Sequence, residues 1–79
     1  MTKANIYEKL TEIFRDIFDD DTIELQETTS SEDIDGWDSL EHINIVVAVE
    51  QTFSIKFTMD EVTGMKNIGE MVDIIMSKL

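Results

Sequence analysis

Two side chains near the middle of the chain could together perform chemistry. Ser39 lies three residues before His42, the only histidine in the sequence, and on a helix this spacing makes the two side chains neighbours. Such a pair could act as nucleophile and general base. The sequence shows no third group to orient the histidine and no loop that would form an oxyanion hole, and 79 residues leave little protein for a pocket. We therefore predict no catalytic residue and interpret His42 as a partly packed side chain.

Two acidic runs raise the question of a metal site. Asp19-Asp20-Asp21 and Asp33-Ile34-Asp35-Gly36 are rich in oxygen ligands. Neither run has ligands at alternate positions followed by the turn glycine and the distal glutamate of an EF-hand loop. The chain also contains no cysteine, which excludes thiolate metal sites and disulfides. The sequence predicts no metal site.

Helices must position Ser39, because apolar residues recur at three- and four-residue spacing along most of the chain. The pattern predicts helices at about residues 3 to 18, 39 to 52 and 67 to 78, and a short one from Thr58 to about Gly64. The fold class is therefore all-α, a four-helix bundle of three main helices and one short helix. The apolar side of the first helix is formed by Ile6, Leu10, Ile13, Phe14, Ile17 and Phe18, and that of the last by Ile68, Met71, Val72, Ile75, Met76 and Leu79.

A long loop precedes Ser39. Between Asp19 and Asp38 no period holds, and long aperiodic loops in small domains are commonly functional. We expect its apolar residues to hold it against the core, and these are Ile23, Leu25, Ile34 and Trp37. Either Asp38 or Ser39 could cap the helix that follows, and Asp38 with Glu41 would form an acidic variant of the capping box.

The second helix has more apolar surface than a small bundle can bury. One apolar group falls on one arc of the helix and consists of Ile45, Val46, Val49 and Phe53. A second group consists of Leu40, Ile43 and Val47, with Glu50 between the two groups. Burying both would bury the Glu50 carboxylate at a cost of several kcal/mol, about 3 or more. We predict that the first group is core and the second an exposed strip, the alternative being that the short third helix covers the strip.

Charge narrows the range of partners. The net charge is −12, and between Asp16 and Ile55 there are twelve acids and no lysine or arginine. This field disfavours nucleic acid and anionic membranes and favours basic protein surfaces, although the acids could serve only to keep the chain in solution. No apolar run approaches the roughly 18 residues that span a bilayer. We expect a single domain over residues 1–79, monomeric and cytoplasmic.

The motif around Ser39 resembles the attachment site of a known family. The segment Gly36-Trp37-Asp38-Ser39-Leu40-Glu41-His42 places Asp-Ser-Leu at the start of the second helix, after a long acidic loop. Acyl carrier proteins and their relatives in polyketide and peptide synthesis are similar over nearly the whole chain, from the first helix to the closing one. A lone Asp-Ser-Leu is a weak signal, but the surrounding length, charge and helix order make it specific.

The resemblance implies a cofactor and partners. A phosphopantetheinyl transferase would move 4'-phosphopantetheine from coenzyme A to Ser39, and Asp38 matches the position that helps organise the transferase metal. The second helix would dock on basic patches of acyl-loading and synthase enzymes, through residues matching Leu40, Glu41, Ile43, Val47 and Glu50. The arm would hold acyl groups as thioesters, and the core between the first, second and fourth helices would hold part of the acyl chain.

Departures from the family pattern concern the pathway. Asn44 and Gln51 stand where the fatty-acid pattern commonly has acids, and Trp37 and the segment Ile55-Lys56-Phe57 also differ. They favour a specialised member over a housekeeping one, in fatty acid, polyketide or related biosynthesis. The alternative function is an unmodified acidic helical module that docks basic partner proteins.

Overall fold

Four helices and no strand form the structure. A computed structural model describes residues 1–79, with helices α1 (Lys3–Phe18), α2 (Ser39–Phe53), α3 (Met59–Gly64) and α4 (Ile68–Lys78). These bounds confirm the predicted all-α bundle with one short helix and a long first loop. None of the helices combines the length and the apolar character that crossing a membrane requires.

The boundaries of α1 follow from its end residues. Thr2 caps its start in a capping box, in which the Thr2 hydroxyl accepts the Asn5 amide and the Asn5 side chain accepts the Thr2 amide. At the other end Asp19 adopts the left-handed conformation, with φ of 50°, and its amide donates to the carbonyl of Arg15. The Asp20 amide also donates to the Arg15 carbonyl, at 3.1 Å. This is the 6→1 bond of a Schellman termination, and it turns the chain into the long loop.

The long loop is held against the core by apolar side chains and by α4. Ile23 is buried, whereas Leu25, Ile34 and Trp37 are partly buried against the core, which confirms their predicted role. Two carbonyls of the loop, those of Thr29 and Glu27, accept the first two amides of α4 at 2.9 Å each. These bonds satisfy amides that a helix start otherwise leaves unpaired.

Gly69 allows that close approach between the loop and α4. A Cβ atom at this position would lie 2.5 Å from the Glu27 Cγ and 3.0 Å from the Glu27 carbonyl oxygen. Any larger residue would require Glu27 to shift, and Glu27 provides one of the two carbonyls that accept the first amides of α4.

The core lies between α1, α2 and α4. Ile45, Val46, Val49 and Phe53 of α2 are all buried, as predicted. Leu40, Ile43 and Val47 are exposed by 70%, 50% and 45%. This confirms the predicted apolar strip, and it contradicts the alternative that the short third helix covers the strip.

The apolar side of α4 is narrower than predicted. Its buried stripe consists of Ile68, Met71, Val72 and Ile75, together with Gly69. Met76 and Leu79 were expected on this side but are exposed by 38% and 54%. Met76 lies at the edge of the stripe, and Leu79 follows the last helical residue, so neither reaches the core.

The short helix α3 contributes no buried residue and is attached by polar contacts. Thr58 caps it in a capping box with Glu61, and Lys78 forms a 3.0 Å ion pair with the same Glu61 carboxylate. The Thr58 amide, followed by the Lys78 ammonium group, holds the pKa of Glu61 below its ordinary value of 4.5. These contacts fix α3 at its start and to the end of α4.

Two valines on α2 test the assignment of its two faces. Val49 is fully buried, whereas Val47 on the same helix is 45% exposed. We expect Val49→Ala to lower the free energy of unfolding by about 2 kcal/mol, since it removes buried methyl groups and leaves a cavity. Val47→Ala is the matched control, with an expected loss below about 0.5 kcal/mol. Urea denaturation followed by circular dichroism measures both, and equal losses would contradict the assignment.

Candidate functional site

The start of α2 is formed by Asp38 as N-cap and Ser39 as first helical residue. An Asp38 carboxylate oxygen, Oδ1, accepts the Glu41 amide at 2.9 Å. The sequence left the choice between Asp38 and Ser39 open, and the structure assigns the cap to Asp38. The hydroxyl of Ser39 is therefore not used to satisfy the helix backbone.

The reciprocal half of the predicted capping box is absent. The Asp38 amide, which the Glu41 carboxylate would accept, already donates to the carbonyl of Gly36 at 3.0 Å. The Glu41 carboxylate instead accepts from the Asn44 side chain at 3.0 Å. The prediction of a capping box was therefore wrong in this half, because the turn before the helix takes up the Asp38 amide.

Gly36 makes that turn possible. Its φ of 88° lies in the left-handed region, which favours glycine, and the space where its Cβ would be is 3.7 Å from the ring of Phe18. The Trp37 amide donates to the carbonyl of Ile34 in the same turn. The turn brings the chain from the loop into α2 with Ser39 facing solvent.

The geometry at Ser39 suits a bound anion. The Ser39 and Leu40 amides belong to the first turn of α2, and neither donates to another group of the chain. Free amides and the positive end of the helix dipole together favour negative charge at this point. A phosphate ester on the exposed Ser39 hydroxyl fits this environment.

A groove of about 490 Å³ adjoins Ser39. One part of its wall is polar and includes Ser31, Asp38, Thr63 and Lys66. Another part is apolar and includes Ile43, Met59, Val62 and Met65. The open space beside Ser39 thus lies between α2 and α3, whereas the centre of the core, at Leu10 and Ile45, is fully buried.

His42 connects the long loop to α3. The Trp37 indole Nε1 donates to Nδ1 of His42 at 3.2 Å, and Nε2 of His42 lies 3.1 Å from the carbonyl oxygen of Val62. An indole only donates and a carbonyl only accepts, so we assign the neutral tautomer with its proton on Nε2. Both ring nitrogens are occupied, and neither is available as a base for Ser39.

Trp37 holds this arrangement against the core. Its ring meets that of Phe14 edge to face at a centroid distance of 5.1 Å, and it stacks on His42 at 5.9 Å. The sequence predicts the contact of Trp37 with the core but not its bond to His42. A spacing of five residues across a helix start is not a helical repeat, so no pattern indicated the pair. Met59, Thr63 and Lys66 were also missed as groove residues.

The predicted docking residues are not equivalent in the structure. Leu40, Ile43 and Val47 are exposed, and Glu41 is partly exposed. The Glu50 carboxylate is partly buried and accepts the Phe57 amide at 2.8 Å. Glu50 therefore has a structural contact of its own, which closes the connection between α2 and α3.

The acidic runs of the long loop form no metal centre in the structure. No three or more His, Cys, Asp or Glu side chains are grouped so as to hold a metal ion. The Asp20 carboxylate is used locally, because it accepts from both the hydroxyl and the amide of Thr22. These bonds lower the pKa of Asp20, and the hydroxyl of Thr22 is the larger cause.

Comparison with known proteins identifies the family of this chain. The family described as phosphopantetheine attachment site matches residues 8–75. An acyl carrier protein of Acidothermus cellulolyticus is 34% identical, over 95% of this chain and 89% of its own length. An acyl carrier protein of Coprothermobacter proteolyticus is 30% identical, over 100% of this chain and 96% of its own.

A solved structure shows the same fold. The solution structure of a holo acyl carrier protein from Geobacter metallireducens superimposes with a TM-score of 0.85 and 46% sequence identity, covering 91% of this chain and 83% of that one. With the family match over residues 8–75, it follows that this chain belongs to the acyl carrier protein family, whose covalent prosthetic group is 4'-phosphopantetheine.

Proposed function

We propose that phosphopantetheine is attached to the hydroxyl of Ser39 and that the chain carries acyl groups as thioesters on this arm. The observation that carries the proposal is an exposed hydroxyl on the first residue of α2, free of the capping role. The amides beside it favour the phosphate of the arm. The groove between α2 and α3 offers the rest of the arm a surface that is partly polar and partly apolar.

The other four serines are less suited to the attachment. The amide of Ser30 donates to Asp33, and its hydroxyl accepts the Glu32 amide. Ser54 is the left-handed C-cap of α2, and the Ser77 hydroxyl donates to the carbonyl of Ile74. Ser31 is exposed and lines the same groove as Ser39, but it lies in the loop and has no helix start to favour a phosphate.

The chain's own residues position the arm and do not supply its reactive group. It has no cysteine, so when bound the phosphopantetheine supplies the thiol that forms the thioester. Both nitrogens of His42 are occupied, which supports a carrier without catalytic activity of its own. We assign the carrier to fatty acid, polyketide or related specialised biosynthesis, and Asn44 and Gln51 favour a specialised pathway.

The exposed strip is the proposed docking surface. Leu40, Ile43 and Val47 lie on the same helix as Ser39 and are flanked by acids such as Glu41. Exposed apolar residues with a charged rim are typical of protein interaction sites. The proposed partners are a phosphopantetheinyl transferase and acyl-handling enzymes with basic patches, which the negative field of the chain attracts. Glu50 contributes to this surface only through the part of its side chain that is exposed, because its carboxylate is partly buried against the Phe57 amide.

Attachment to Ser39 is tested directly by mass spectrometry. After incubation with coenzyme A, magnesium and a broad-specificity transferase, we expect the wild-type chain to gain the mass of one phosphopantetheine group and Ser39→Ala to gain none. Because Ser39 does not cap α2, Ser39→Ala should change the free energy of unfolding by less than about 0.5 kcal/mol. Ser31→Ala, which alters the same groove, is the matched control and should accept the arm.

The same experiment separates the two candidate functions. An unmodified wild-type chain would favour a module that only docks partners. An arm on Ser31 or elsewhere, shown by peptide mapping, would contradict the assignment of Ser39.

Two substitutions at Asp38 separate its capping role from its role toward the transferase. Asp38→Ala removes the acceptor of the Glu41 amide and should lower the free energy of unfolding by about 1 kcal/mol. Asp38→Asn keeps an oxygen that accepts this amide, so its stability should stay close to that of the wild type. We expect both variants to be modified more slowly, since neither has a carboxylate for the magnesium of the transferase complex. Wild-type kcat/KM for Asp38→Asn would contradict that role.

The docking surface is tested by Leu40→Ala with Leu79→Ala as control. Both leucines are exposed, by 70% and 54%, so neither substitution should affect folding strongly. If Leu40 contacts the transferase, its loss should lower kcat/KM for arm transfer by about fivefold or more, the effect of an interface residue worth about 1 kcal/mol. Leu79→Ala should leave the rate unchanged, and equal rates for the two variants would exclude Leu40 from the docking surface.

A further inference from the structure

Lys66 is the only lysine or arginine that lines the groove beside Ser39. It lies in the connection between α3 and α4, and between Arg15 and Lys56 the chain has no lysine or arginine at all. The charged carboxylate of the groove is that of Asp38, which adjoins Ser39 in sequence. A single ammonium group therefore shares the groove with the proposed attachment point, in a chain with a net charge of −12.

The ammonium group of Lys66 is not committed to a carboxylate of the chain. The two ion pairs present join Lys3 to Asp73 at 3.8 Å and Lys78 to Glu61 at 3.0 Å. The Glu70 carboxylate accepts the Lys66 backbone amide at 2.7 Å. This bond fixes the backbone of Lys66 and leaves its side-chain charge free.

An anion on Ser39 would need compensation. A phosphodiester carries one negative charge, and on Ser39 it would be next to the carboxylate of Asp38. The free amides of the first turn of α2 compensate part of this repulsion. A cation on another wall of the groove would compensate more of it and would favour arm conformations that lie in the groove.

We propose that Lys66 is a positioning residue for the prosthetic arm, whose ammonium group pairs with the phosphodiester on Ser39 and draws the arm into the groove between α2 and α3. This inference rests on the proposed attachment to Ser39 and assigns a role to a residue outside the motif that carries it. Lys66 takes no part in the attachment reaction itself.

The test compares how much the arm stabilises different variants. Unfolding equilibrium constants are measured by urea denaturation for the apo and holo forms of the wild type, Lys66→Gln and Lys66→Arg. We expect the ratio of the holo to the apo folding constant to fall by about two- to fivefold in Lys66→Gln, the effect of one exposed ion pair. Lys66→Arg keeps the charge and should restore most of the ratio.

Lys56→Gln is the control for net charge. Lys56 is exposed and follows the far end of α2, which is 15 residues long and therefore about 20 Å from start to end. Lys56→Gln removes the same charge as Lys66→Gln, but far from Ser39. Its ratio of the holo to the apo folding constant should therefore equal that of the wild type. At about 1 M salt, where the Debye length falls to about 3 Å, the difference between Lys66→Gln and the wild type should largely disappear.

A second measurement does not depend on folding. The phosphorus-31 chemical shift of the holo phosphodiester should change with Lys66→Gln and stay constant with Lys56→Gln. If Lys66→Gln lowers the stability of apo and holo forms equally, or if both glutamine variants behave alike, the proposal is overturned. Failure of the proposed function gives a different result, since the wild-type chain would then not acquire an arm on Ser39.

Discussion

The hydrogen bond from the Glu41 amide to the Asp38 carboxylate separates two tasks that would otherwise compete for one side chain. A helix start needs an acceptor for its free amides, and serine is among the residues that commonly provide it. A serine that caps its helix has its hydroxyl oxygen turned toward the backbone. With Asp38 in this role, Ser39 moves one position into the helix, where its hydroxyl is exposed. The order of the two residues therefore leaves the hydroxyl of Ser39, the proposed attachment point, free of the capping role.

The position of this helix start depends in turn on the packing of Trp37. The indole ring contacts Phe14 in the core on one side and donates to His42 on the other. His42 then bonds the carbonyl of Val62 in α3. A continuous series of contacts thus runs from the core through the first turns of α2 to the short helix. Since α3 buries no residue of its own, these contacts and the Glu61 ion pair help to hold it beside α2, where it lines the groove.

Most of the fold could be predicted from the sequence because the helices are strongly periodic and separated by clear boundary residues. The division of α2 into a buried and an exposed face followed from the angular positions of its residues around the helix. Glu50 lies between two apolar groups, so both groups cannot be buried. Predictions failed where a contact with another part of the chain overrides the local pattern. Glu41 does not complete the capping box because Gly36 already accepts the Asp38 amide. Met76 and Leu79 fit the period of α4, but period alone does not show where the neighbouring helices end.

The groove could not be predicted, because its walls come from segments far apart in the chain. Ser31, Ser39 and Lys66 share no local pattern, and only the packing of the loop, α2 and the α3–α4 connection brings them together. The same holds for the bond between His42 and Val62, whose residues are twenty positions apart. Sequence patterns report contacts along one helix, where spacing determines proximity. Contacts between elements depend on how the helices cross, which periodicity leaves open.

The acidic charge and the apolar strip make different contributions to the proposed docking. Charges act over about 8 Å at physiological salt and raise the rate of encounter with basic surfaces. They discriminate little between one basic partner and another. Leu40, Ile43 and Val47 contribute only on contact, when their exposed surface is removed from water. The Glu50 carboxylate accepts the Phe57 amide but keeps its negative charge, so it adds to the same field as Glu41 and the acids of the long loop. Because the strip lies on the same helix as Ser39, a partner that docked on it would be held beside the proposed arm.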